Sequence, residues 1–139
     1  MMTEGHGHIL VVDDDRQTRL KLTRELESRG YAVSTVEGGE EAFKALARES
    51  FDLILLDILM PKMDGVEVLE RLRADATRNT PAVIVISALE DPERMQRCRQ
   101  LGARHYLTKP VDPELLSARV AEVIGQSGTS GPGETAEND

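Results

Sequence analysis

Ile9-Leu10-Val11-Val12-Asp13-Asp14-Asp15 is the stretch on which the fold turns. Four apolar, mostly β-branched residues in succession suit a strand buried on both faces, as the strands of a parallel sheet are. The run stops abruptly at three carboxylates. Similar runs recur at Leu53 to Leu56 and Ala82 to Ile86, with further strand-like segments at Tyr31 to Val36 and His105 to Thr108. Helical patterns lie between them. The first runs from Thr18 to Ser28, with Leu22 and Leu26 four apart, and the second begins after Gly38-Gly39 and buries Ala42, Ala45 and Leu46. The third has its core at Val66 to Leu72, and Met95, Cys98 and Leu101 mark the fourth. Leu115, Leu116, Val120, Val123 and Ile124 give the closing helix its apolar face. Gly30 and Gly102 stand where the first and fourth helices should end. Five strands alternating with five helices predict an α/β fold, a doubly wound parallel sheet, because parallel neighbours need crossovers and the helices supply them.

A chain of 139 residues, 40% hydrophobic and 30% charged, suits one domain whose core needs neither a disulfide nor a structural metal. The single cysteine, Cys98, shares a helical face with Met95 and Leu101 and reads as a buried structural thiol. Seventeen basic against twenty-five acidic residues give a net charge of −8, which repels phosphate backbones and argues against direct nucleic-acid binding. No apolar run reaches the roughly 18 residues of a membrane span and the N-terminus lacks the layout of a secretion signal, so a cytoplasmic protein without membrane contact is expected. Residues 1–7 read as a flexible leader, with His6 and the adjoining His8 read as solvated, residues 8–125 as the domain, and the apolar-poor residues 126–139 as a disordered tail or linker stub.

Open parallel sheets place their chemistry beyond the carboxyl ends of the strands. Asp13 and Asp14 follow the first strand, Asp57 the third, Ser87 the fourth and Lys109 the fifth. Three carboxylates brought together repel unless a cation joins them, and an all-oxygen donor set suits magnesium. Asp57 is then the candidate nucleophile toward phosphorus, with Lys109 neutralising phosphoryl charge and Ser87 donating its hydroxyl. Asp15, where a helix opens, reads as a cap in preference to a third ligand, and Asp64 before Gly65 as an N-cap. Arg94, Arg97, Arg99 and Arg104 form a basic patch around the fourth helix, either a solvated face or a surface for an acidic partner. An aspartyl-nucleophile phosphatase, with Asp13 and Asp15 as its acid pair, is the rival reading. A flavin carrier is excluded, because three aspartates would repel the cofactor phosphate.

ILVVDDD at 9–15, LILLDILMPKMDG at 53–65, VISA at 85–88, and GARHYLTKP at 102–110 together resemble the receiver domains of two-component response regulators. The resemblance covers positions 8 to about 125 and implies a flavodoxin-like (βα)5 sandwich with strand order 2-1-3-4-5. It implies that Asp57 accepts a phosphoryl group from a sensor histidine kinase or phosphotransfer protein, and that Asp13, Asp14, Asp57 and the main-chain carbonyl of Leu59 hold Mg2+. It further implies a cis bond between Lys109 and Pro110, a hydroxyl switch at Ser87 and an aromatic switch at Tyr106. Output would pass through a changed surface of the fourth helix, fifth strand and fifth helix to a downstream protein target, or to a second copy in a phosphorylation-dependent homodimer. The reading is thus a phosphoacceptor module that catalyses its own phosphorylation and dephosphorylation, not a turnover enzyme. It stands alone or belongs to a longer regulator. Leu59 and Leu89, apolar at positions flanking the phosphoryl group in the family, predict slow intrinsic dephosphorylation.

Overall fold

The structure, a computed structural model, describes residues 7–75 and 80–129. Strands β1 (His8–Val12), β2 (Ala32–Val36), β3 (Leu53–Leu56), β4 (Ala82–Ser87) and β5 (His105–Thr108) alternate with helices α1 (Arg16–Glu27), α2 (Gly39–Arg48), α3 (Gly65–Ala74), α4 (Pro92–Gln100) and α5 (Pro113–Thr129). All four strand pairings are parallel, and the sheet order is β2-β1-β3-β4-β5. That is the α/β, flavodoxin-like order the family resemblance implied.

The period-two geometry of a strand divides the apolar runs between two cores. Leu10, Val12, Ile54, Leu56, Val83 and Val85 face one side, where α2, α3 and α4 bring Ala42, Ala45, Val68, Leu69, Leu72 and Cys98. Ile9, Val11, Leu53, Leu55, Ile84 and Ile86 face the other, where α1 and α5 bring Leu22, Leu26, Leu116, Val120 and Val123. Continuous apolar runs on β1, β3 and β4 follow directly, since both faces of these central strands are covered. β2, on the edge, is more exposed and carries Ser34 and Thr35.

Helix boundaries follow local chemistry. The Asp15 side chain accepts a hydrogen bond from the Thr18 amide and opens α1, and Asp64 does the same from Glu67 for α3. Gly30 after α1 (φ 96°) and Gly102 after α4 (φ 104°) adopt the left-handed conformation that ends a helix cheaply only at glycine. Cys98 is buried in the core, as its helical face predicts.

Three expectations are corrected. His8 is not a solvated leader residue; it opens β1, its Nε2 lies 2.9 Å from Ser34 Oγ, and its ring packs 4.3 Å from that of Phe51. Pairing of His8 with Ala32 extends the sheet by one residue, which composition alone does not reveal. Leu115 is 40% exposed, because Leu116, Val120 and Val123 share the buried face and Leu115 stands one residue, about 100°, away from it. The α5 backbone also continues to Thr129, through residues that composition assigned to the tail. His6 and residues 130–139 lie outside the described residues.

Candidate functional site

Parallel strands all point their carboxyl ends the same way, so side chains just past β1, β3, β4 and β5 converge at one edge of the sheet. The ladders run slightly beyond the strands: Asp57 N donates to Val12 O (2.9 Å), Asp13 N to Val36 O (3.2 Å), and Lys109 N to Ser87 O (2.9 Å). These bonds fix the backbone beneath each functional side chain.

Among the described residues, Asp13, Asp14 and Asp57 each offer a carboxylate oxygen within 4.8 Å of the others. Asp13 and Asp57 are buried, whereas Asp14 is exposed and gives the cluster its opening to solvent. The Lys109 ammonium reaches across from β5, donating to Asp13 Oδ2 at 2.9 Å and lying 3.5 Å from Asp57 Oδ2. Burial works against that ammonium, but its hydrogen bond to Asp13 and the two carboxylates outweigh burial, and its pKa is raised. Burial, joined by the neighbouring Asp13 carboxylate, pushes Asp57 up to about 6, against the opposing pull of Lys109. The Lys109 ammonium therefore meets two of the three acids, and the Asp57 charge remains disfavoured. Hard oxygen donors with residual negative charge and one solvent-facing member fit a small divalent cation that keeps some of its water.

Asp57 also accepts from the Leu59 amide (3.3 Å), so the turn carrying Leu59 wraps around the carboxylate, and the Leu59 side chain is 48% exposed at its edge. Ser87 is fully buried, and its Oγ accepts from the Leu89 amide at 3.1 Å. Tyr106 points inward. Its hydroxyl donates to the Leu89 carbonyl at 2.6 Å, and burial raises its pKa, against hydrogen bonding with Ser87. The turn after β4 is thus tied at Leu89 to both Ser87 and Tyr106. The Lys109–Pro110 peptide is cis.

Asp15 does not join the cluster through its carboxylate. That group accepts from the Thr18 amide (3.0 Å) and hydroxyl (2.6 Å), bonds that hold its pKa low. In the basic patch, Arg97 bonds Glu70 at 3.1 Å and Arg94 lies 3.9 Å from Asp64, so two of its four cations face α3. Sequence reasoning did not single out Arg19, whose guanidinium donates to the Asp13 carbonyl at 2.8 Å. One of three arginines in a charge-rich helix carries no periodic signal.

A profile described as the response regulator receiver domain matches residues 9–121. The chain is 40% identical over 117 residues to the probable transcriptional regulator ycf27 of Cyanidium caldarium, covering 84% of this chain and 46% of that protein. It is 38% identical over 125 residues to the sensory/regulatory protein RpfC of Xanthomonas campestris pv. campestris (strain 8004), covering 88% of this chain and 16% of that protein. The chain thus spans about half the length of the first relative and much less of the second. The crystal structure of the signal receiver domain of a signal transduction histidine kinase from Syntrophus aciditrophicus superposes with a TM-score of 0.78 at 34% identity, covering 88% of this chain and 92% of that one. With its sheet order, its acidic cluster and these relatives taken together, the chain belongs to the receiver domain family of two-component response regulators.

Proposed function

We propose that this receiver domain takes a phosphoryl group onto Asp57 from the phosphohistidine of a sensor kinase or phosphotransfer protein. The observation that carries the reading is the Lys109 ammonium held against both Asp13 (2.9 Å) and Asp57 (3.5 Å), with Asp14 completing the acidic cluster. An Asp57 carboxylate oxygen forms the new O–P bond as the P–N bond of the donor breaks, and the electron pair leaves with the imidazole. Lys109 stands where it can offset charge on the phosphoryl oxygens. Asp13, Asp14, Asp57 and the Leu59 carbonyl would hold Mg2+, which supplies positive charge to the same oxygens. Ser87 would turn its hydroxyl toward the phosphoryl group. Because the Leu89 amide is bonded to Ser87 and the Leu89 carbonyl to Tyr106, that turn would carry the change to the surface of α4, β5 and α5.

Transfer is stoichiometric, so the domain is a signalling module that promotes its own phosphorylation and dephosphorylation and is not a turnover enzyme. A net charge of −8 favours output through protein contacts, to a downstream protein or a second phosphorylated copy, over direct nucleic-acid binding. None of the helices searched among the described residues is long and apolar enough to cross a membrane. A cytoplasmic site of action is the compartment in which such a kinase would meet it. Residues 8–125 would form the folded unit, whether alone or within a longer regulator.

Intact-mass measurement after treatment with acetyl phosphate tests the reading. One phosphoryl group is expected on the native chain with Mg2+ and none with a chelator or on Asp57→Asn. Labelling of Asp57→Asn to the native extent would refute the assignment.

Leu59 and Leu89 occupy the positions that flank the phosphoryl group in the family, and their apolar side chains could not orient an attacking water. The double variant Leu59→Asn, Leu89→Glu should lose its phosphoryl group at least about tenfold faster than the native chain. Decay followed by loss of the mass increment after the donor is removed checks this, and an unchanged half-life would show that neither position limits water.

A further inference from the structure

Arg19 closes the first turn of α1 with its side chain only 14% exposed, an unusual place for a guanidinium. Its ionic partner there, Glu37, is 3.7 Å away and largely exposed, which makes a loose pair. The close contact is the hydrogen bond from Nη1 to the main-chain carbonyl of Asp13, at 2.8 Å. That carbonyl belongs to the peptide joining Asp13 to Asp14, where the chain leaves β1. The same turn is held from its other side, since the Asp15 amide donates to Asp13 Oδ1 at 2.9 Å. Asp13 has a further restraint in Lys109. Asp14 is exposed, so the setting of the Asp13–Asp14 peptide, which fixes the direction in which its side chain leaves the backbone, is the restraint that brings its carboxylate toward the cluster.

We infer that Arg19 is a positioning residue for the cation site: by gripping the Asp13 carbonyl it fixes the peptide that aims Asp14 into the acidic cluster. This rests on the reading of Asp13, Asp14 and Asp57 as a Mg2+ site. Groups that orient ligands without touching the ion typically set metal affinity by a factor of ten or more. Arginine is suited to the task because its charge persists at any working pH and its planar fork holds a carbonyl in a fixed direction.

Calorimetric titration of the unphosphorylated chain with MgCl2 reads the effect without any chemistry at Asp57. Arg19→Met, which keeps the aliphatic stem and loses the donors, is expected to weaken Mg2+ binding about tenfold. Arg19→Lys, which keeps a cationic donor, should recover most of the loss. Glu37→Gln should bind as the native chain does. Should Arg19→Met fail to fold, Arg19→Gln, polar but too short to reach the carbonyl, is expected to show the same weakening. A merely structural role would lower thermal stability in the Arg19 variants while leaving the Mg2+ dissociation constant in place, and that result overturns the inference. Failure of the native chain to bind Mg2+ would instead bring down the cation-site reading itself, and this inference with it.

Discussion

Asp57→Asn is expected to make the cation-free protein more stable near neutral pH, by about 1–3 kcal/mol. The reason is the cost of keeping a charge at a position only 5% exposed and beside Asp13, a cost reflected in a folded-state pKa of about 6 against an ordinary value of 3.8. The direction with pH follows from proton binding. Between the two values the folded chain holds the Asp57 proton more tightly than the unfolded chain, so this group's contribution to stability falls as pH rises from about 4 to about 6 and stays low above that. Asparagine does not titrate. The advantage of Asp57→Asn should therefore be full above about pH 6 and vanish below about pH 4. Urea denaturation across that range, with a chelator present, measures it. Adding Mg2+ should narrow the gap at neutral pH, because a ligand that binds only the folded native chain stabilises it by mass action. A destabilised Asp57→Asn at neutral pH would show that Lys109 outweighs both burial and Asp13.

Gly65→Ala should be the most damaging single-methyl change at the site, costing about 3 kcal/mol and lowering Tm by roughly 10 °C. A Cβ built on Gly65 would lie 2.5 Å from the Asp57 carbonyl oxygen and 2.8 Å from the Ile58 Cα. Both are backbone atoms and cannot swing aside as a flexible side-chain end could. The Gly65 amide also donates to the Ile58 carbonyl at 2.9 Å, so the start of α3 is pinned against the acceptor turn. Relief must come from moving either α3 or the backbone of Asp57. Displacement of the acceptor should slow labelling by acetyl phosphate by about tenfold or more even at temperatures where the variant is folded. Thermal unfolding and the labelling rate together check this. Native values for both would mean that the loop yields at no cost.

Much of this was legible from the sequence, for identifiable reasons. β1, β3 and β4 are buried on both faces, so their apolar runs are unbroken and stand out; β2, covered less well, mixes Ser34 and Thr35 into its pattern and was recognisable mainly from its place between two helices. Asp13, Asp14, Asp57, Ser87 and Lys109 were legible as a group because parallel strands deliver their carboxyl ends to one edge, whatever the intervening chain does. What stayed hidden depended on contacts between segments distant in sequence. His8 looked like part of a glycine-rich leader because its partners, Ser34 and Phe51, come from other strands and loops. Arg94 and Arg97 looked like free cations because the acids facing them belong to α3 and its N-cap. Arg19 was invisible because it binds a backbone carbonyl, which every residue possesses.

The contact between Lys109 and Asp13 joins residues 96 positions apart, from the last strand to the first. A chain ending before β5 carries Asp57 yet lacks the ammonium that belongs beside it. On the proposed reading, a chain truncated before β5 would lack the charge that offsets the phosphoryl oxygens, and its labelling by a phosphoryl donor would be suppressed by connectivity alone.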